Sequence, residues 1–389
     1  MSELIRHIRE REREYLQLLK ELVELESPTH DKKLVDLAVD RVERFFREQR
    51  ARVRRIPQRD LGDHLVAEWG EGEKQILFIG HIDTVWEQGT LQRMPFSIEN
   101  GVLRGPGCYD MKAGVVQGMY ALQVMNELGM KPACKIVFLI NSDEEIGSPG
   151  SRALIEELAS RSEYAVVAEG AIPPDGRLKI ERKGCGFFDV TIHGIAAHAG
   201  VNPQDGASAI HEFARQALYL ESLTDPEKGT TINIGYVQGG TRANVVAERL
   251  TAKIDLRVST MEEAERVVPL ILGLKPVDPR TKITVQGELN RPPMERTAGN
   301  MALFKKVREL AAELGFRLEG AGTGGMSDAN LTSALGVPTV DGLGAVGGGG
   351  HSEDEHVLVD RMPERIALLV KMFSEIGGID AAREGKLPQ

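Results

Sequence analysis

The chain has 389 residues, long enough for two domains, since single cores rarely grow past roughly 250–300 residues. A hydrophobic share of 41% and a charged share of 27% are those of an ordinary globular protein, and a net charge of −10 argues against nucleic acid or an anionic membrane surface as main partner. Cys108, Cys134 and Cys185 are too few and too scattered for a disulfide framework or a zinc knuckle, and they suit a reducing, cytoplasmic setting.

The densely charged first ten residues contain no apolar core segment, so no secretory signal is expected, and no run of 18 or more apolar residues predicts a membrane span. Apolar residues at helical spacing predict a helix over 2–25 and a second over 32–49. Strands are predicted at 65–69 and at 76–79, the latter running into Gly80-His81-Ile82-Asp83-Thr84-Val85. Gly105-Pro106-Gly107 is a turn, and Asp110 stands just before a helix over 113–128. A buried strand at 136–140 ends in Asn141-Ser142-Asp143-Glu144-Glu145. Ser148-Pro149 is read as opening a helix to 159, since proline is favoured in a first turn. The strand at 164–168 ends at Glu169. Strands alternating with helices, with polar residues at strand ends, predict an α/β fold with a mostly parallel sheet and a site on its carboxyl edge.

The pattern changes after Lys183. Strands at 187–193, 231–237, 248–258 and 283–288 and helices at 207–220 and 261–272 read as a small α+β unit, with Arg291-Pro292-Pro293 as exit linker. A helix over 298–314, a strand at 337–340, the glycine-rich stretch ending at His351 and a helix over 361–376 return to the earlier style. The expected organisation is a catalytic domain of 1–182 and 292–389, interrupted by an inserted lid of 183–291.

His81 and Asp83 lie two residues apart at a strand end and therefore face the same way, as a metal-binding imidazole and the group that orients it would. His81, Asp110, Glu144-Glu145, Glu169 and His351 each follow a predicted strand or loop. Together they make a nitrogen/oxygen donor set suited to zinc, or to cobalt or manganese. The set is too rich for one four-coordinate ion, whereas two ions sharing a bridging carboxylate would use it. One carboxylate must stay off the metals to take a proton from water, and the adjacent Glu144 and Glu145 can divide these tasks.

Gly80-His81-Ile82-Asp83-Thr84-Val85, Gly105-Pro106-Gly107-Cys108-Tyr109-Asp110-Met111-Lys112 and Asp143-Glu144-Glu145-Ile146-Gly147-Ser148 resemble, in order, the motifs of the di-zinc peptidase/deacylase family. That family includes glutamate carboxypeptidase (carboxypeptidase G), acetylornithine deacetylase, succinyl-diaminopimelate desuccinylase and aminoacylase. The resemblance spans nearly the whole chain. It implies two Zn2+ ions, one held by His81 and Glu169, the other by Glu145 and His351, with Asp110 bridging them. It also implies Asp83 as orienter of His81, Glu144 as general base, and a cis peptide at Asp110-Met111.

Gly194-Ile195-Ala196-Ala197-His198-Ala199-Gly200 resembles the family's lid motif, whose histidine reaches the other subunit's site and stabilises the oxyanion. Gly239-Gly240-Thr241-Arg242-Ala243-Asn244-Val245-Val246 and Asp255-Leu256-Arg257 resemble the following lid segments. The resemblance thus makes Asn244 a substrate contact, Arg291 the grip on the substrate's α-carboxylate, and the lid the interface of a homodimer. Met326 departs from the usual glycine-rich run. The expected activity is hydrolysis of an amide next to a free C-terminal carboxylate in a small peptide or N-acyl amino acid. The alternatives are an N-acyl-amino-acid deacylase and, more remotely, a non-catalytic peptide-binding or scaffold relative. Outside this set, His193 reads as structural, His7, His30, His64, His211 and His356 as surface residues, and Met111 and Met119 as core filling.

Overall fold

A computed structural model describes residues 2–379. It divides into two compact units, one of Arg182–Glu295 with Gly324–Met326, the other of the remaining described chain.

The larger unit begins with α1 (Glu3–Glu10), capped by the Ser2 hydroxyl, which accepts from the Ile5 N–H at 3.2 Å. At Arg11 the backbone leaves helical geometry (φ −110°, ψ 22°) before α2 (Glu12–Glu24). The one helix expected over 2–25 is therefore two, with the apolar spacing carried through the break. After α3 (Lys32–Glu48) comes β1 (Arg52–Ile56), an arginine-rich strand that composition had hidden. Then follow β2 (His64–Trp69), β3 (Gln75–His81), β4 (Ser97–Glu99), β5 (Val102–Arg104), α4 (Ala113–Glu127), β6 (Lys135–Asn141), α5 (Arg152–Ala159), β7 (Ser162–Val167) and β8 (Leu178–Arg182). The helix read as opening at Ser148-Pro149 starts only at Arg152. Ser148 has φ +55°, and its hydroxyl donates to Asp328 Oδ1 at 2.6 Å, so the segment is a turn.

The smaller unit carries β9 (Gly184–His193), α6 (Ala209–Glu221), β10 (Thr231–Gly239), β11 (Arg249–Val258), α7 (Met261–Leu272) and β12 (Lys282–Arg291). Its antiparallel sheet runs β10-β11-β9-β12. One residue in two is buried along β11, and Phe188, Val190, Ile192, Leu250, Ala252 and Ile254 form a separate core. Arg291 is the last residue of β12, opposite Cys185, and is fully buried, so it is not the linker charge its two prolines suggested. Arg182 ties in Gly324–Met326 by donating to the carbonyls of Gly325 at 3.1 Å and Met326 at 2.9 Å, and the Met326 sulfur fills space against Cys185.

The chain re-enters the larger unit with α8 (Ala298–Leu314), β13 (Gly320–Thr323), α9 (Ala329–Ala334), β14 (Thr339–Asp341), β15 (Gly347–Gly348), β16 (His356–Leu358) and α10 (Met362–Glu375). Among the described residues its main sheet has eight strands in the order β1-β2-β6-β3-β7-β14-β8-β13. β6, β3, β7 and β14 are mutually parallel and send their carboxyl ends to one edge; at the flanks β2 runs antiparallel to β6, β1 antiparallel to β2, and β8 antiparallel to β14. Such an edge, where strand order reverses about β3, is where open α/β sheets bind ligands. Phe138 lies under Phe46, Phe78 and Phe373 with ring centroids 4.9, 5.2 and 5.8 Å apart, locking α3 and α10 to the sheet. Met111 and Met119 are core residues. No helix among the described residues is long and apolar enough to cross a membrane.

Candidate metal centre

His81 ends β3. Its Nδ1 donates to the backbone carbonyl of Asp83 at 2.9 Å, with the Asp83 carboxylate 3.5 Å away, so Nε2 carries the free lone pair of the neutral ring. The shorter contact to His81 is thus from the Asp83 backbone, and the carboxylate is engaged elsewhere. It accepts from Thr29 Oγ1 at 2.8 Å and from the Glu144 and Glu145 N–H groups at 3.3 Å each, fixing the turn after β6. Asp110 sits in a wide turn between Cys108 and Lys112, and the Asp110-Met111 peptide is cis. The Asp110 carboxylate reaches both ways: Oδ1 is 3.3 Å from His81 Nε2 and Oδ2 is 3.1 Å from His351 Nε2. Glu169 Oε1 is 3.7 Å from His81 Nε2, and Glu145 Oε2 is 3.2 Å from His351 Nε2.

Five side chains expected as ligands thus meet in two triads, His81–Asp110–Glu169 and Asp110–Glu145–His351, with donor atoms within 4.8 Å of one another and Asp110 common to both. Glu144 belongs to neither triad and is half-buried beside them.

The electrostatics ask for positive charge. Burial opposes protonation of His81, yet the Asp110 and Asp83 carboxylates hold its pKa well above the usual imidazole value. Asp110 and Glu145 raise His351 to about 10. Burial works against an ionised Asp110, but the His351 and His81 rings hold its pKa below the carboxylate range, while burial pushes Glu145 up. His81 Nε2 and Glu145 Oε1 are buried without a well-formed hydrogen bond. Ions held by nitrogen and oxygen donors would satisfy both atoms, so the residues fit a dinuclear metal site.

Two features escaped the sequence reading. The first is Glu355, fully buried, whose carboxylate accepts from the Tyr109 and Asp110 N–H groups through Oε1 and from Gly107 N–H and Trp86 Nε1 through Oε2. The run Ser352-Glu353-Asp354-Glu355 has no local signal separating it from a solvated acidic loop. The second is His64, expected at the surface. It starts β2 between β1 and β6, is fully buried, and its pKa is lowered by that burial against nearby Asp143. His30 and His211 are exposed and His7 and His356 half-buried.

In the smaller unit, His198 and Asn244 are exposed and held close: His198 bridges Val245, and the Ala199 N–H donates to the Asn244 carbonyl at 3.0 Å. His198 Nδ1 accepts from the Gly200 N–H at 3.1 Å, which leaves the neutral ring's proton on Nε2. Exposed His193 lies within β9 opposite Arg249 and Lys282.

A shared-carboxylate cluster of imidazoles and acids at the carboxyl edge of a parallel sheet is the equipment of a metal-dependent hydrolase. Residues 77–375 match the model of Peptidase family M20/M25/M40, and the chain belongs to that family of amide-hydrolysing enzymes. It is 28% identical over 372 residues to carboxypeptidase G2 of Pseudomonas sp. strain RS-16, covering 93% of this chain and 89% of that protein. It is 29% identical over 336 residues to succinyl-diaminopimelate desuccinylase of Dechloromonas aromatica, covering 80% and 86% respectively. Its fold is similar to that of aminopeptidase PepT from Bacillus cereus, with a TM-score of 0.78 at 23% identity, covering 94% of this chain and 98% of that one.

Proposed function

We propose that this protein is a two-zinc exopeptidase of the glutamate carboxypeptidase type, cleaving an amide beside a free C-terminal carboxylate. The observation that carries the reading is the pair of triads sharing Asp110, with Glu144 next to them and in neither. His81, Asp110 and Glu169 would hold one ion, and Asp110, Glu145 and His351 the other. Two such ions, Zn2+ or in its place Co2+ or Mn2+, lower the pKa of water at the site and polarise the scissile carbonyl.

Glu144 takes the proton from the attacking water and passes it to the leaving nitrogen. Asp83 keeps Glu144 in place through the backbone N–H of that residue. His198, with its proton on Nε2, is the donor to the oxyanion, supplied by the second copy of a homodimer joined through the lid unit. Asn244 contacts substrate beside it. Arg291 is assigned the α-carboxylate for its planar, bidentate guanidinium. Because Arg291 is fully buried, that role requires its cover to move when substrate arrives. Three buried, unpaired cysteines suit a cytoplasmic location.

The test is amino-acid release by zinc-loaded protein, with and without chelator. The blocked substrates end in glutamate, aspartate, alanine, leucine or arginine, and are run beside N-acetylornithine and N-succinyl-diaminopimelate. Chelator-sensitive release from the glutamate substrates is the expected result. Turnover of the acetyl or succinyl compounds alone would move the assignment to the deacylase reading, which the likeness to a desuccinylase also favours. Two bound zinc ions with no turnover of anything would leave a binding protein.

A further inference from the structure

The two ligands that Glu145 meets in its triad, Asp110 and His351, come from segments far apart in sequence, and neither lies on a regular strand. Asp110 stands in an irregular turn and His351 at φ +62° in a loop, a conformation that residues other than glycine rarely adopt. Something must hold the two segments in register.

Besides the His351–Asp110 contact itself, Glu355 ties them through its carboxylate. It lies four residues beyond His351, and the intervening chain is closed by two turns, Ser352 N–H to Gly349 carbonyl and Glu355 N–H to Ser352 carbonyl, each 2.9 Å. Its carboxylate then accepts the N–H groups of Gly107 (2.9 Å), Tyr109 (2.8 Å) and Asp110 itself (3.0 Å). A fourth bond, from Trp86 Nε1 at 2.7 Å, fastens the segment that follows His81 and Asp83. Four donors on a fully buried carboxylate make a rigid joint, because breaking any one strands a buried polar group.

We propose that Glu355 is a positioning residue that locks the Asp110 turn to the His351 loop and thereby sets the geometry of the Asp110–Glu145–His351 ion site. The inference rests on the two-metal reading above. The effect is asymmetric: His81 ends β3 and is held by strand pairing with Asn141 whatever becomes of the Trp86 bond, so in its triad Asp110 alone hangs on Glu355, whereas in the other triad both Asp110 and His351 sit on loops that Glu355 pins. Loss of Glu355 therefore weakens one ion site far more than the other.

The experiment is a Co2+ titration of the metal-free full-length chain, followed by calorimetry and visible absorption, for wild type and Glu355→Gln. His351→Ala, which removes a ligand from one triad only, identifies which spectral component belongs to that site. Glu212→Gln serves as control, because Glu212 is likewise fully buried and accepts the Val277 and Asp278 N–H groups at 2.9 and 3.0 Å, but in the smaller unit.

Wild type should take two Co2+. Glu355→Gln should lose about ten- to a hundredfold in affinity at the component His351→Ala removes, and much less at the other, the range typical for groups that hold metal ligands. Glu212→Gln should keep both. Unchanged binding at both sites, or an equal loss at both that tracks a lowered melting temperature, overturns the proposal. Should the glutamine variant not fold, Glu355→Asp, which keeps the charge but shortens the reach, must show the same one-sided loss. Wild type binding fewer than two ions would overturn the two-metal reading itself, an outcome distinct from the others.

Discussion

Glu144 and Glu145 are chemically identical neighbours, and their environments separate them. Glu145 is drawn to His351 at 3.2 Å and its carboxyl is pushed up by burial, while Glu144 stands outside both triads. The Glu144→Ala variant should therefore bind both metal ions as wild type does, by elemental analysis, yet lose about a hundredfold or more in kcat. Retention of a tenth of the wild-type rate would remove Glu144 as the base. The same contrast shows what a sequence carries. His81 and Asp83 stood out because two polar residues at a spacing of two close an apolar run, and local periodicity fixes their shared direction. Glu355 and His64 did not stand out. What distinguishes each is its place in the fold, hydrogen-bonded to the Asp110 turn for one and buried between β1 and β6 for the other, and nothing in the neighbouring residues records it.

Elements were legible where apolar periodicity was strong and uninterrupted, as in α3, α4, β3 and β6. They were missed where charge masks a strand, as in β1, whose Arg55 is matched by Asp63 and Glu43, or where a turn imitates a helix start, as at Ser148-Pro149. Helix α4 opens just after Asp110, and its Gly114 passes so close to the strand end before Glu169 that an added Cβ would lie 1.8 Å from the Ala168 carbonyl oxygen. Gly114→Ala must push helix and strand apart, at a cost of about 1–3 kcal/mol or more. The expected result is a clearly lowered melting temperature together with weaker metal binding, because the shift separates Asp110 from Glu169. A wild-type melting curve would show that the contact is not tight. In the smaller unit, Glu263 on α7 is held at a pKa of about 2 by Arg266 and Thr230, against an ordinary value of 4.5. A depressed carboxylate stabilises the fold above its unfolded pKa and loses that contribution as pH falls through its folded one. Acid should thus cost wild type more stability between about pH 4.5 and 2 than it costs Glu263→Gln. Parallel urea-midpoint curves for the two proteins would exclude the linkage.

At the scale of the molecule, the proposed oxyanion role of His198 makes a complete site the work of two chains. The smaller unit buries one face of its sheet but exposes Phe187, Tyr236 and Val237, and along α6 it exposes Leu218 at 68% and Tyr219 at 42%. Its outer strand β10 is exposed at most positions, and among the described residues no strand pairs along its far side. Apolar residues on a sheet edge and an adjoining helix are what an isologous dimer covers. If the dimer forms there, sedimentation at micromolar concentration should give twice the chain mass, and Leu218→Glu should halve it. The same assembly makes a sharper demand on His198. When the Glu144→Ala and His198→Ala proteins are mixed and allowed to exchange subunits, each mixed dimer holds one site with an intact Glu144 from one chain and an intact His198 from the other. Random exchange then restores about a quarter of wild-type activity from two inactive parents, because half the dimers are mixed and half their sites are whole. Were His198 to serve its own chain, every site in the mixture would lack one of the two groups and no activity would return. Recovery therefore depends on the direction in which the histidine crosses between subunits, and sedimentation alone cannot supply that direction.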